Sequence, residues 1–245
     1  MKYNVYKLRI YEVAVCLLIW LAVSVFLAFF FYRSLLAALI LFLFFPVFLR
    51  FVKKYLQRKR EWKMTLEFKE MLRILSINIQ AGNSPENAFI NTYREMKDLF
   101  GVRSIMAKEC EIIVRGLENN IVIENLVSSL GERSSNEEIA EFAEIFSIAK
   151  RSGGNLKEII TDSTEMIDSK IEIKREYRIL ISSKKFEHRI MCCVPFIILI
   201  YIGLTSPGYF DMFYGNLTGV AIMSVCLAVY LGAFIWGEKI ADIKV

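Results

Sequence analysis

Histidine is nearly absent from this sequence: His188 is the only one among 245 residues. A serine–histidine–acid triad would have to use His188, which lies beside an apolar stretch, and we interpret it instead as an interfacial side chain. No glycine is followed by lysine, which excludes a phosphate-binding Gly-Lys-Ser/Thr loop. We therefore expect neither enzymatic activity nor a bound cofactor.

The cysteines lack the spacing of a structural framework. They form no Cys-x-x-Cys pair, and all but one of them lie in apolar stretches: Cys16, Cys110, Cys192, Cys193 and Cys226. Without such a pair, neither a disulfide framework nor a zinc site is predicted. We interpret the cysteines as small apolar side chains and expect no metal site.

Charge is missing from four apolar stretches, residues 13–31, 34–49, 190–204 and 217–236. Residues 50–189, in contrast, hold 25 of the 31 Lys and Arg and 22 of the 26 Asp and Glu. A membrane-spanning helix needs about 20 apolar residues. We predict an all-α polytopic membrane protein with four transmembrane helices: a hairpin over residues 1–49, a cytoplasmic helical-bundle domain over 50–189, and a second hairpin with a short tail over 190–245.

Basic residues lie mainly on one side of the predicted spans. The predicted outer loops, residues 32–34 and 205–216, contain only Arg33, whereas the inner flanks contain 15 Lys and Arg. Because cytoplasmic loops carry the excess of Lys and Arg, we expect both termini and the central domain to face the cytoplasm. The basic run at residues 50–63 follows a predicted span directly, so it favours contact with anionic membrane lipids over nucleic acid.

The spans contain no Asp, Glu, Lys, Arg or His, and this argues against a coupled transporter or proton channel. Pro46 and Pro195 lie within them and are candidate kinks.

The central domain is predicted to be helical throughout. An apolar stripe from Phe68 to Ile79 indicates a helix that ends at Gly82, and Ser84 followed by Pro85 is typical of the next helix start. A second stripe, from Ile123 to Leu130, is predicted to end at Gly131.

Further helix boundaries are predicted later in the domain. Ser135 with Glu138 matches a capping box that opens another helix, and Gly153 with Gly154 is predicted to form the turn that ends it. No helix breaker then occurs between Leu156 and Pro195, which predicts one long helix that continues into the third span.

A shift of 71 residues aligns the first of these helices with the one after Ser135. Phe68, Met71, Leu75 and Gly82 superpose on Ile139, Phe142, Phe146 and Gly153. This pattern is compatible with an internal repeat and equally with two unrelated amphipathic helices.

Two stretches resemble a known family. IAEFAEIFSIAKRSGGNLKEII at residues 139–160 and SSKKFEHRIMCCVPFIILIYI at 182–202 are similar to the type II secretion system F domain, with RSGGNL at 151–156 and a Lys-x4-Ile-Met-x3-Pro pattern at 185–195 as its motifs. The resemblance covers residues 66–245, and the final EKIADIKV at 238–245 looks most like the TadB-like members of the tight-adherence (Flp) pilus system.

The resemblance implies a non-enzymatic platform in the bacterial inner membrane that couples a TadA-like secretion ATPase to the assembly of pilin subunits. Only one such domain is present, so a second copy or a TadC-like paralogue is the expected partner. Glu137, Glu141 and Glu144 are a candidate ATPase contact, although a solvated helix face explains the same pattern. A membrane-anchored adaptor or signalling protein is the alternative function.

Overall fold

Helices account for nearly all of the regular structure in the computed structural model, which describes residues 10–28, 39, 41–151, 156–206, 208–209 and 216–241. No strand occurs in these ranges, as the all-α prediction requires. The helices are α1 Ile10–Leu27, α2 Phe45–Gln80, α3 Pro85–Phe100, α4 Ile105–Glu118, α5 Ile123–Ser134, α6 Glu137–Arg151, α7 Leu156–Thr205 and α8 Leu217–Ala241.

The chain divides into two compact units. The first, here the helical unit, contains residues 53–173, and the second, here the apolar unit, contains residues 8–52 and 174–245. The predicted domain boundaries at residues 49 and 189 mark where the chain is expected to leave and enter the bilayer, not where two compact units meet. They stay predictions.

Three helical segments of the described residues are long and apolar enough to cross a membrane. They are Ile10–Leu27, the apolar part of Lys157–Thr205, and Thr218–Ile240. Their apolar side chains are largely exposed, as at Leu18 and Val229, which suits a hydrocarbon environment better than water. The remaining predicted span, residues 34–49, lies partly outside the described residues, and the four-span topology stays a prediction.

Contacts between neighbouring helices order the apolar unit. The Tyr230 hydroxyl of α8 donates to the Cys192 carbonyl of α7 at 2.7 Å, and the Tyr230 ring packs edge-on against Phe196. His188 stacks on Phe234 with ring centroids 5.8 Å apart and lies directly against Gly237, where an added Cβ would meet the imidazole ring. The only histidine therefore packs between α7 and α8.

The two proline positions differ in their helical context. Pro46 is the second residue of α2, where its missing N–H leaves no intrahelical hydrogen bond unmade, and a turn at Leu43 and Phe44 precedes it. Pro195 lies inside α7, which continues through it. The long helix predicted from Leu156 is confirmed, and a kink at Pro195 stays a prediction.

An aromatic core holds the helical unit together. Phe68 of α2 packs edge-on against Phe142 of α6 at 5.8 Å, and Phe89 of α3 packs in the same way against Phe146 at 5.9 Å. All four rings are fully buried in one apolar cluster that draws residues from α2 through α7. Each buried side chain of this kind contributes about 1.5–3 kcal/mol, so this cluster is the main support of the unit.

The helix bounds agree with the shift of 71 residues, and the internal repeat stays an interpretation. Residues 65–80 of α2 align with α6 at this shift, and α3 aligns with the first turns of α7. Asn136 donates to Thr65 Oγ1 at 2.8 Å, and these two positions are also 71 residues apart.

Two predicted helix boundaries were wrong. Gly131 lies inside α5 rather than after it, because α5 continues to Ser134. Ser135 has φ of 52° and ends α5, so the cap of α6 is Asn136, whose Oδ1 accepts from the Ile139 amide at 3.2 Å. Gly131 therefore contributes to the packing of α5, and Ser135 forms a left-handed turn instead of starting a helix.

The first predicted turn lies between α2 and α3. Gly82 has φ of 90°, a conformation that favours glycine. Ser84 then caps α3 by accepting from the Asn87 amide at 3.3 Å. Gly153 and Gly154, the other predicted turn, fall outside the described residues.

Gly131 permits the close crossing of α5 and α6, and this generates a stability prediction. A Cβ at this position would lie 3.0 Å from Ala143 Cβ and 3.3 Å from the Ala140 Cα. We expect Gly131→Val to destabilise the full-length protein by about 1–3 kcal/mol through overpacking. Asn125→Val, at an exposed residue of α5 that does not line the groove beside Gly131, is the control and should change stability little. Thermal unfolding of both purified variants in detergent tests this, and equal midpoints would contradict it.

Candidate functional site

Two buried carboxylates position the helices around the candidate site. Glu67 of α2 accepts at Oε2 from the Ser104 hydroxyl at 2.8 Å, the Ile105 amide at 2.9 Å and the Met106 amide at 3.1 Å. It therefore caps the N-terminus of α4, where a negative charge is favoured. Glu109 of α4 accepts from Arg133 of α5 at 2.7 Å. Both carboxylates are almost fully buried, so they fix α4 and α5 within the unit rather than offering a surface.

Ion pairs also connect α7 to the rest of the helical unit. Lys69 of α2 contacts Asp168 and Glu172 of α7, each at 3.0 Å. Burial lowers the pKa of Lys69, but the hydrogen bonds to the two carboxylates outweigh it, so the pKa rises overall. A further ion pair joins α6 to α3: Lys150 contacts Glu86 at 2.6 Å.

The predicted acidic face does not form one free surface. Glu141 accepts from Lys170 of α7 at 3.0 Å, and Glu137 lies 3.9 Å from the same amine. The hydrogen bond to Glu141 raises the pKa of Lys170. Two of the three predicted contact residues therefore face α7.

Glu144, the third predicted contact, lines a groove between α5 and α6. The volume of this α5–α6 groove is about 390 Å³, and small side chains form most of its walls: Ser128 and Gly131 of α5, and Ala140, Ala143 and Ser147 of α6. Glu132, Ile148 and Arg151 complete the lining. Ile148 is 60% exposed. The groove thus combines an apolar floor with charged edges.

Metal ligation and thiol chemistry have no support in the described part of the helical unit. Within the described residues no group of three His, Cys, Asp or Glu side chains is placed to hold a metal ion. Burial raises the pKa of the Cys110 thiol to about 12, so this thiol stays protonated and poorly nucleophilic in the core.

Comparison with known proteins decides the family. The family model of type II secretion system protein F matches residues 68–204, which is more than half of the chain. The chain belongs to this family. Its members are generally non-enzymatic membrane platform proteins. No curated protein and no solved structure gives a significant match.

The family match covers the helical unit from Phe68 and continues through the apolar part of α7. It agrees with the resemblance noted at residues 139–160 and 182–202, and with the three apolar helices it indicates an inner-membrane protein of a secretion or pilus assembly system. No match separates the TadB-like members from the rest of the family.

Two residues near the predicted acidic face have no clear signal in the local sequence. Glu132 directly follows Gly131, where the apolar stripe predicts a helix end. Lys170 lies 29 residues after Glu141, so no local spacing reveals their contact. The local sequence offers one signal for Glu132, which is its position directly after a glycine at the end of a short apolar stripe.

The different environments of Glu141 and Glu144 give a testable contrast. Glu141→Lys places two ammonium groups together at Lys170, whereas Glu144→Lys changes an exposed residue of the groove. We expect Glu141→Lys to destabilise the protein by up to about 1 kcal/mol, the scale of partly exposed ion pairs, and Glu144→Lys to have a smaller effect. Chemical unfolding of both variants measures this, and the opposite order would contradict the ion pair with Lys170.

The Glu67 cap is expected to be more important for stability. Glu67→Ala leaves buried donors of α4 unpaired, at a cost of about 1–3 kcal/mol for each unsatisfied group. Glu67→Gln keeps an acceptor oxygen and should lose less. Protein level in the membrane and the unfolding midpoint compare the two variants. Identical behaviour would mean that the carboxylate does not cap α4.

Proposed function

We propose that this chain is a TadB-like inner-membrane platform protein of a type IV (Flp/Tad-like) pilus or type II secretion apparatus. The observation that carries the proposal is the family match over residues 68–204, because it includes both the helical unit and an apolar helix long enough to span the bilayer. In this function the protein couples a cytoplasmic secretion ATPase to the insertion or extraction of pilin subunits.

The division of labour between platform and ATPase has support in the sequence. The chain lacks a Gly-Lys pair and therefore lacks a phosphate-binding loop of that type, so nucleotide hydrolysis by this route must come from another protein. The helical unit supplies a folded surface for such a partner. Its buried apolar core and ion pairs make it a folded body of its own.

The proposed topology has four spans, with both termini and residues 50–189 in the cytoplasm. The excess of Lys and Arg beside the predicted inner ends supports it. A second copy of the chain or a TadC-like paralogue supplies the second F domain of the assembly, and anionic lipids contact the basic run at residues 50–63.

Deletion of the gene tests the function. We expect surface filaments, counted by electron microscopy, or secreted substrate to disappear and to return when the wild-type gene is supplied on a plasmid. Unchanged filaments and unchanged secretion in the deletion strain would refute the platform function.

Cysteine labelling tests the topology. Single cysteines at Asp211 and Lys97, in a background without the five native cysteines, should differ in reaction with a membrane-impermeant maleimide on intact cells. Asp211, which falls outside the described residues, should be labelled, while Lys97, exposed on α3, should be labelled only after lysis. Labelling of both positions on intact cells would contradict a cytoplasmic helical unit.

A further inference from the structure

Backbone hydrogen bonding in α7 is interrupted where the helix passes Pro195. Proline has no N–H, so the carbonyl of Met191, four residues earlier, loses its usual intrahelical donor, and the proline ring clashes with that carbonyl. Pro195 lies in the uncharged stretch at residues 190–204, and in hydrocarbon water is not at hand to replace a missing donor. Proline is tolerated in such helices where a neighbouring helix supplies polar contacts at the break.

α8 supplies a polar contact of this kind. The Tyr230 hydroxyl donates to the Cys192 carbonyl at 2.7 Å, and the Tyr230 ring packs edge-on against Phe196 at 5.0 Å. These contacts lie three residues before Pro195 and one residue after it. Cys192 and Phe196 are half-buried, whereas Pro195 is exposed. The proline ring therefore occupies the outer side of α7, and Tyr230 contacts its inner side.

The position of the ring sets the direction in which α7 bends. The clash between the Pro195 ring and the Met191 carbonyl opens the outer side of the helix. The segment after Pro195 then inclines toward the inner side, where Tyr230 lies. The hydrogen bond from Tyr230 is therefore on the concave side of the bend, where it holds the backbone of α7 close to α8.

The segment of α7 before the proline is attached to α8 at further points. His188 stacks on Phe234, and the Arg189 guanidinium lies 3.8 Å from the Glu238 carboxylate. A bend at Pro195 consequently moves the later segment of α7 and leaves the earlier segment in place against α8.

We propose that Pro195 and Tyr230 together form a hinge in α7, with the Tyr230 hydroxyl holding the bent state. The proline makes the helix easier to bend, and the hydrogen bond to the Cys192 carbonyl stabilises the bent backbone. Straightening of α7 at Pro195 draws this carbonyl away from the hydroxyl, so the effects of the two residues depend on each other. Residues 196–205 are the segment that moves. The use of this movement during assembly rests on the proposed platform function, whereas the hinge itself does not.

A double-mutant cycle in the full-length protein tests the hinge. Tyr230→Phe removes the donor and should lower the midpoint of thermal unfolding in detergent by about 2–4 °C, the scale of one lost hydrogen bond in a chain of this size. Pro195→Ala restores the missing N–H and straightens α7, so in that background Tyr230→Phe should shift the midpoint much less. Equal shifts in the two backgrounds would overturn the inference.

Each substitution has a matched control. Tyr201→Phe removes the hydroxyl of an exposed tyrosine on α7 and should leave the midpoint unchanged. Pro46→Ala changes the second residue of α2, where no intrahelical bond is missing, so its effect should add to that of Tyr230→Phe. Pro195→Leu restores the same N–H and replaces Pro195→Ala if the latter does not accumulate. If neither variant accumulates, the fold itself requires the proline and the hinge is refuted.

The hydrogen bond also has a spectroscopic signature that does not depend on stability. Cys192 and Cys193 are the only adjacent cysteines in the sequence, so isotope-labelled cysteine isolates the Cys192 carbonyl in an NMR experiment that correlates a carbonyl with the following amide nitrogen. Its chemical shift should change in Tyr230→Phe and stay constant in Tyr201→Phe. A Cys192 carbonyl signal that does not respond to Tyr230→Phe would mean that Tyr230 holds no bend.

Filament assembly tests whether the movement is used. We expect Pro195→Ala to reduce filaments or secretion by about tenfold or more at normal protein level, because hinge residues control the rate of conformational steps, and Pro46→Ala to retain both. Wild-type assembly by Pro195→Ala would refute the use of the hinge. If deletion of the gene leaves filaments and secretion unchanged, the platform function is refuted, and the double-mutant cycle and the NMR signal still decide the hinge.

Discussion

Burial of the apolar face of α2 is the constraint on which the helical unit depends. Met64, Phe68, Met71, Leu72 and Leu75 have almost no exposed surface, and Phe68 meets Phe142 of α6 across the core. The apolar stripe of α6 aligns with that of α2 at a shift of 71 residues, and Asn136 beside α6 contacts Thr65 of α2. Removing this central packing would leave the apolar faces of α2 and α6 without a partner.

The buried polar groups follow from that packing. Once α2 and α6 are in place, α4 and α5 must be attached to them, and their helix ends and charged side chains need partners away from water. Glu67 meets this need at the start of α4, and Glu109 meets it through Arg133. A buried carboxylate with several donors is costly to disturb, because the donors it leaves would be unsatisfied. These interactions specify how α4 and α5 lie, and they indirectly create the α5–α6 groove.

Some charged residues near the surface form ion pairs with another helix, and others line the α5–α6 groove. Lys170 is engaged by Glu141 and approached by Glu137, which makes that part of the predicted acidic face a connection between α6 and α7. Glu144 has no ion pair within the described residues and lines the α5–α6 groove together with Glu132 and Arg151.

Much of the organisation was evident in the sequence because it depends on local spacing. Uncharged runs of sufficient length predict membrane helices, and the Ser84–Pro85 cap and the long helix from Leu156 were predicted for the same reason. The family motifs were likewise contiguous, and the family match over residues 68–204 agrees with them. Gly131 and Ser135 were misassigned because glycine and serine have the same local signals inside a close helix crossing as at a helix end.

The sequence by itself determined the helical class, the segregation of apolar and charged segments, and the family. Only the tertiary structure decided which glutamates are free, since Glu141 meets Lys170 from 29 residues away and Glu132 approaches the groove from another helix. The physical reason is that hydrophobic periodicity is a property of one helix, whereas ion pairing and groove shape depend on how separate helices pack.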